Sequence, residues 1–122
     1  MAEVVKVSKL YETEPVGGPQ QDKFLDGAAE VLTHLTPHEL LALLKVIEKK
    51  VGRTQSKVKW GPREIDLDIL LYGDVVMTEP DLVIPHPLLH LRRFMIEPLA
   101  EIAPDVASRF IQSKNEDNPL DK

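Results

Sequence analysis

The amino-acid sequence predicts an α+β fold in a single domain, on three observations. Two extended apolar runs, residues 4–10 and 24–35, flank a Gly/Pro-rich loop and are expected to pair as an antiparallel hairpin, although periodicity alone leaves 24–35 ambiguous between strand and helix. An amphipathic helix follows, and then a strictly alternating strand. A chain of 122 residues can bury one core, so we expect a single domain over residues 1–112 and a polar, disordered tail over 113–122.

The helix is the most clearly marked element. Thr36 and Glu39 have the spacing of a capping box, and Pro37 falls at the first helical position, where it lacks only an unneeded donor. Gly52 is expected to end the helix. The apolar residues at helical spacing form one face: Leu40, Leu43, Leu44, Ile47 and Val51.

Three further segments follow from pattern. Residues 53–63 are polar, basic and aperiodic, which predicts a long functional loop. Residues 65–72 alternate and predict a strand that stops before Gly73. Residues 87–103 predict one or two short helices, with a break at Pro98.

Composition and charge restrict the classes of function. The net charge is −5 and the pI is about 5.3, which argues against a nucleic-acid binder, although a basic segment at residues 49–63 suits a small anionic ligand. The absence of cysteine excludes disulfides and thiolate metal sites. No apolar run approaches the roughly 20 residues of a membrane span, and the N-terminus lacks the apolar core of a signal peptide. We therefore expect a cytoplasmic protein with no membrane partner.

Asp66 and Asp68 carry the chemistry in the alternating segment. Side chains two apart on a strand project to the same side, which places these carboxylates roughly 6–7 Å apart. Like charges so close repel unless a cation lies between them, and Mg²⁺ binds carboxylates together with substrate phosphates. An ordinary exposed strand face can also carry two aspartates, so the pair alone leaves both interpretations open.

The surrounding residues resemble a known family. The segment Lys59-Trp60-Gly61-Pro62-Arg63-Glu64-Ile65-Asp66-Leu67-Asp68-Ile69-Leu70 is similar to the signature of the 6-hydroxymethyl-7,8-dihydropterin pyrophosphokinases. The resemblance extends over about residues 5–105, including 11–15, Pro85-His86-Pro87 and 97–104. It implies a ferredoxin-like antiparallel sheet packed with helices, and Mg²⁺-dependent transfer of pyrophosphate from ATP to 6-hydroxymethyl-7,8-dihydropterin in folate biosynthesis.

The resemblance also implies roles for particular residues. Asp66 and Asp68 would bind two Mg²⁺ ions, with Arg53 and Arg63 steadying the phosphates during catalysis. The expected ATP-binding residues are Glu48, Trp60, Ile69, His86 and Arg92. The expected pterin-binding residues are Thr13, Val16, Phe24, Asp26 and Phe94, with the two phenylalanines sandwiching the ring.

Three departures from the family pattern accompany the match, one of which is that Gln55 and Ser56 stand in the loop where family members often carry cations. The chain starts at the family's second strand, so the first strand and helix are expected to be missing, and either a rearranged sheet or a homodimer is expected to fill the gap. Asp26 stands where the family has asparagine, and an ionised carboxylate accepts hydrogen bonds but does not donate them. The alternative to the enzyme is a catalytically impaired relative that binds a nucleotide or a pterin.

Overall fold

The computed structural model describes residues 1–13, 24–55 and 65–112, and it confirms an α+β fold. Short antiparallel strand pairs alternate with helices along the chain. In chain order the elements are β1 (Ala2–Val7), β2 (Tyr11–Thr13), β3 (Phe24–Asp26), β4 (Ala29–Thr33), α1 (Pro37–Gln55), β5 (Met77–Glu79), β6 (Leu82–Ile84), a 3₁₀ turn (Leu89–Leu91), α2 (Arg93–Ile102) and α3 (Pro104–Gln112). The expected tail at 113–122 lies outside the described residues.

The two extended runs pair as predicted. β1 pairs antiparallel with β4, from Ala2 opposite Thr33 to Val7 opposite Ala29, with an extra residue at Val5. β2 pairs antiparallel with β3, from Tyr11 opposite Asp26. The ambiguous run 24–35 therefore forms two strands and no helix.

The chain divides into two compact units. The first unit comprises the described parts of residues 1–33 and 88–122, and the second comprises those of 34–87. In the first unit, α2 contacts α3 and also β2, β3 and β4. Its buried side chains come mainly from α2 and its neighbours: Leu89, Ile96, Leu99, Ile102 and Ala107.

A tight corner connects the two strand pairs of the first unit. The Ser8 N–H donates to the Ala28 carbonyl (2.8 Å), and the Ser8 hydroxyl accepts from the Ala28 N–H (2.9 Å). Gly27 lies beside this corner, where a Cβ would come within 3.0 Å of the Leu10 side chain. Ser8 is buried, and its hydrogen bonds satisfy the polar groups that the bend would otherwise leave unpaired.

The second unit is built on α1. The predicted capping box is confirmed, because the Thr36 N–H donates to the Glu39 carboxylate (2.9 Å) and the Glu39 N–H donates to the Thr36 hydroxyl (3.2 Å). The core of this unit joins α1 to residue 69 and to β6: Leu40, Ile69, Leu82 and Ile84. The Tyr72 hydroxyl donates to the Leu35 carbonyl and ties the end of this segment to the start of α1.

A short hairpin, β5–β6, was not predicted from the proline-rich pattern around residue 80. Its turn brings Glu79 and Asp81 to the first turn of α1. There the His38 imidazole lies 3.2 Å from the Glu79 carboxylate and 3.3 Å from the Asp81 carboxylate. All three groups are substantially exposed to solvent, so they form a surface cluster that links the hairpin to the helix.

The structure corrects three expectations about element boundaries. Gly52 does not end α1, which continues to Gln55, because Gly52 is buried and an interior glycine costs only about 1 kcal/mol. Pro98 does not break α2, and it is almost fully buried, as Ile96 and Leu99 of the same helix are. The predicted loop 53–63 is therefore helical at its start, and 56–63 lie outside the described residues.

The predicted strand at 65–72 is also wrong. These residues belong to neither a strand nor a helix. The Leu67 N–H donates to a side chain of α1, and the Leu70 carbonyl accepts from the His86 N–H (2.9 Å). Within the described residues, no helix is long and apolar enough to cross a membrane.

Candidate functional site

Three carboxylates converge in the second unit. Glu48 lies in the C-terminal half of α1, and its carboxylate accepts a hydrogen bond from the N–H of Leu67, the residue between Asp66 and Asp68. Lys45, one turn earlier on α1, donates to the same carboxylate at 3.3 Å. The helix therefore fixes the backbone at the point where the two aspartates project.

The electrostatics of the cluster follow from how close these acidic groups lie to one another. The pKa of Asp66 is raised, first by the negative charge of Asp68, then by burial and by the charge of Glu48. The pKa of Glu48 is lowered, mainly by the hydrogen bond from the Leu67 N–H and further by Lys45, while burial opposes the change. A cation between the aspartates would relieve this repulsion, and hard carboxylate oxygens are the donors that Mg²⁺ prefers.

The apolar residues between and after the aspartates anchor the pair. Ile69 is buried against Leu40 of α1, and Leu67 is half-buried, whereas Asp66 and Asp68 are exposed. The predicted alternation therefore holds over residues 66–69 without a strand. It fails at Ile65, which is 41% exposed.

His86 is a further predicted ATP-binding residue in this unit. It follows the buried β6 and lies between Pro85 and Pro87, where it is half-buried. Its N–H bonds to the carbonyl of Leu70, two residues beyond Asp68. This backbone hydrogen bond places His86 beside the segment that carries the aspartates.

The predicted pterin residues fall in the first unit. Thr13 and Phe24 are directly opposite each other in the β2–β3 register, and Tyr11 and Asp26 form the pair at the other end. Phe94 lies in the first turn of α2 and is half-buried. The guanidinium of Arg92 lies 5.3 Å from the centroid of the Phe94 ring, within the range of a cation–π contact.

The remaining predicted residues are described only in part or not at all. Arg53 lies in the last turn of α1, with its backbone alone described. Val16, Trp60 and Arg63 lie outside the described residues.

Sequence reasoning missed the residues that hold these groups in place. The Lys45–Glu48 pair has an i, i+3 helical spacing that the sequence displays. Glu101 of α2 accepts from the Tyr11 hydroxyl at 2.8 Å, and no local pattern signals a contact between residues so distant in sequence.

Comparison with known proteins identifies the family of this chain. The model of the family described as 7,8-dihydro-6-hydroxymethylpterin-pyrophosphokinase matches residues 1–104. The chain belongs to this family. The match covers every element from β1 to the end of α2, including the carboxylate cluster.

Several relatives of this pyrophosphokinase-family chain are similar over most of its length. The 2-amino-4-hydroxy-6-hydroxymethyldihydropteridine pyrophosphokinase of Bacillus subtilis is 48% identical over 103 residues, which are 84% of this chain and 61% of that protein. The protein of the same name from Aquifex aeolicus is 47% identical over 104 residues, 85% of this chain and 64% of that protein. The folate synthesis bifunctional protein of Arabidopsis thaliana is 46% identical over 99 residues, 81% of this chain and 20% of that protein. The chain thus spans less than two thirds of the length of each of these relatives.

Proposed function

We propose that this chain catalyses transfer of the pyrophosphoryl group of ATP to the hydroxymethyl oxygen of 6-hydroxymethyl-7,8-dihydropterin, a step of folate biosynthesis. The observation that carries the proposal is the cluster of Glu48, Asp66 and Asp68, held together by the Leu67 N–H, in a chain of the pyrophosphokinase family. The oxygen forms a bond to the β-phosphorus, the bond between the α-phosphate and the β-phosphorus breaks, and AMP leaves. The hydroxyl proton is released.

Asp66 and Asp68 would hold Mg²⁺, for which we propose two ions. The metal would neutralise phosphate charge, which is the principal need of phosphoryl transfer. Glu48 would orient this pair through the Leu67 backbone and lie beside the nucleotide with Ile69 and His86. Arg92 is also assigned to ATP binding. We assign Arg53 and Arg63 to the phosphates during catalysis and Trp60 to ATP binding.

The pterin would bind in the first unit. Phe24 and Phe94 would supply the two aromatic surfaces of a stacked ring, since offset stacking on both sides holds a flat heterocycle. Thr13, Val16 and Asp26 would contact its polar edge. Asp26 would accept from the amino and ring N–H donors of the pterin.

The test is an assay of AMP release from ATP and Mg²⁺, with and without 6-hydroxymethyl-7,8-dihydropterin. We expect pterin-dependent AMP from the parent chain and none from Asp66→Ala or Asp68→Ala, because one carboxylate cannot hold the ions. Absence of AMP from a parent chain that still binds ATP or the pterin in calorimetry would favour the alternative of a binding module.

For the fold, we propose a ferredoxin-like α+β domain over residues 1–112. We expect it to unfold in one cooperative transition. Separate transitions for destabilising substitutions in the two units, such as Leu40→Ala and Leu99→Ala, would contradict a single domain.

We also propose a homodimer formed through the outer edge of β1. All six residues of this strand are exposed, including Val4 (59%) and Val7 (66%), and exposed strand edges recruit other chains. Antiparallel self-pairing of β1 centred between Val4 and Val5 would place Glu3 opposite the partner's Lys6, twice by symmetry.

A charge swap tests this dimer by light scattering. Lys6→Glu would put like charges opposite one another and favour the monomer, and the double variant Glu3→Lys/Lys6→Glu would restore the dimer. A parent chain that is monomeric at all concentrations would refute the proposal.

A further inference from the structure

Glu101 makes a concentrated set of contacts across the first unit. One carboxylate oxygen accepts from the Tyr11 hydroxyl at 2.8 Å, and both accept from the Lys9 N–H at 3.3 and 3.2 Å. The ammonium of Lys9 lies 5.5 Å from the centroid of the Tyr11 ring. One acidic side chain of α2 therefore holds the residues that lead into and begin β2.

The position of Glu101 in its helix is unfavourable for an acidic residue. It is the second-last residue of α2, where the helix macrodipole disfavours negative charge. Glu101 is exposed, so it fills no core space. The hydrogen bonds from the Lys9 N–H and the Tyr11 hydroxyl compensate this unfavourable interaction with the helix dipole. We therefore attribute the placement of Glu101 to these contacts.

The contact joins the two elements that carry the proposed pterin residues. Tyr11 stands directly opposite Asp26 in the β2–β3 register, so both side chains project from the same side of this pair. Thr13 and Phe24 are opposite each other two positions further along the same register. The hydrogen bond from Tyr11 to Glu101 shows that the side bearing Asp26 is the side turned toward α2.

Phe94 belongs to the same side of α2. Seven residues separate it from Glu101, which is close to two helical turns at 3.6 residues each and about 10.5 Å along the axis. The Glu101 contacts therefore hold the C-terminal end of α2 against the β2–β3 pair. Phe94 lies on the same face of α2, near the N-terminal end of the helix.

We propose that Glu101 is a positioning residue for the pterin site. Its carboxylate holds the start of β2 against α2 and so sets the spacing between Phe94 on the helix and Asp26, Thr13 and Phe24 on the strand pair. The inference rests on the proposed function, because it assigns to Glu101 the geometry of that reaction's pterin pocket. Glu101 touches neither substrate, and its effect passes through Tyr11 and Lys9.

The test compares dihydropterin and nucleotide binding by calorimetry on the full chain. The probes are 6-hydroxymethyl-7,8-dihydropterin and α,β-methylene-ATP with Mg²⁺, since the methylene bridge prevents transfer. In Glu101→Ala we expect the pterin Kd to rise about tenfold, the scale of a lost hydrogen bond to a charged group, with the nucleotide Kd within twofold of the parent. Glu101→Gln keeps one oxygen acceptor and is expected to recover part of the loss.

A matched control and a milder variant separate positioning from general destabilisation. Glu97→Ala removes an exposed glutamate one turn earlier on α2 whose charge also reaches Tyr11, and it should change neither Kd because the hydrogen bonds of Glu101, and not local charge, do the positioning. Tyr11→Phe removes only the hydroxyl and should weaken pterin binding severalfold, which keeps the test usable if Glu101→Ala folds poorly. An independent readout is the phenolate absorbance of Tyr11, whose titration should move to lower pH in Glu101→Gln.

The outcomes separate the inference from the function on which it rests. Equal losses of pterin and nucleotide affinity in Glu101→Ala, or an unchanged pterin Kd, would overturn the positioning role while the proposed function stands. A parent chain that binds no dihydropterin would overturn the proposed function, and the positioning role with it.

Discussion

Replacing Glu48 with alanine tests how the carboxylate cluster is held. The wild-type side chain accepts from the Leu67 N–H, pairs with Lys45 at 3.3 Å and places a negative charge beside Asp66. The substitution removes all three effects at once. The first two stabilise the folded chain, and the third opposes them.

The magnitude follows from the exposure of each partner. Hydrogen bonds to a charged group are worth about 1.5–3 kcal/mol, and the lower part of that range suits a Glu48 side chain that is 17% exposed. The pair with Lys45 adds about 0.3 kcal/mol, because the lysine side chain is 52% exposed. Removing the repulsion between Glu48 and Asp66 offsets part of the stabilisation that these two interactions provide, so the net loss of unfolding free energy is about 1 kcal/mol. That corresponds to a decrease of about 3–6 °C in Tm.

Function should suffer more than stability. Leu67 lies between the two aspartates, so freeing its N–H displaces both carboxylates. A shift of the pair by about 1 Å lowers kcat/KM by roughly 100-fold, as for other misplaced catalytic groups.

The assay measures urea unfolding and kcat/KM for Mg·ATP on Glu48→Ala, with Lys45→Ala as the control. The control keeps the Leu67 bond and should lose less than about 0.5 kcal/mol, with activity near that of the parent. The reasoning is refuted if Glu48→Ala matches Lys45→Ala in kcat/KM.

Three further predictions concern other elements. Thr36→Ala removes the hydroxyl that caps the Glu39 N–H. It should lower the unfolding free energy measured in urea by about 1 kcal/mol and leave kcat unchanged. An unchanged denaturation midpoint would show that the capping box contributes nothing to stability. The pKa of Tyr11 is raised, first by its hydrogen bond to Glu101, then by burial and by the charges of Glu101 and Glu97, while the Lys9 ammonium faces the same ring. The stability from this bond is therefore fully present below pH 10 and is lost as the pH rises through the raised pKa, and a difference titration at 295 nm against Tyr11→Phe should give a midpoint above 10. Asp26→Asn restores an amide that can both donate and accept, so we expect severalfold tighter dihydropterin binding; a weaker Kd would mean that the carboxylate is the better partner of the pterin edge.

Local patterns predicted the elements whose stabilising contacts lie close in sequence. The capping box needs only Thr36 and Glu39, three residues apart, and both of its hydrogen bonds form. The strands of the first 33 residues were found because apolar runs on each side of a turn-rich segment have few other ways to pair. The closeness of Asp66 and Asp68 followed from backbone spacing alone.

Elements that depend on distant partners were predicted less well. Residues 65–72 have the alternation of a strand, but strand formation requires a hydrogen-bonded neighbour, and Leu67 and Leu70 bond to Glu48 and His86 instead. A proline interrupts a helix unless burial of its ring offsets the lost hydrogen bond. Pro98 is buried, but its burial depends on tertiary packing, which a local pattern does not reveal. Helix α3 was missed although Pro104 and Asp105 at its start are favourable first-turn residues.

The residues of the candidate site likewise divide into those that the sequence indicates and those that depend on distant contacts. The family resemblance supplied Asp66, Asp68 and His86, which the structure brings into one unit. It did not supply Lys45, which neutralises part of the charge on Glu48, or Glu101, which holds Tyr11. Such supporting residues act through geometry that a linear motif does not encode.

The central claim is that this chain moves an intact pyrophosphoryl group from ATP to the dihydropterin. Phosphorus-31 NMR of one reaction containing the chain, ATP, Mg²⁺ and 6-hydroxymethyl-7,8-dihydropterin tests it directly. We predict equal amounts of AMP and a pterin-linked pyrophosphate, and neither in the Asp68→Ala variant. Formation of ADP or free orthophosphate, or an unchanged ATP spectrum with the pterin bound, would contradict the account.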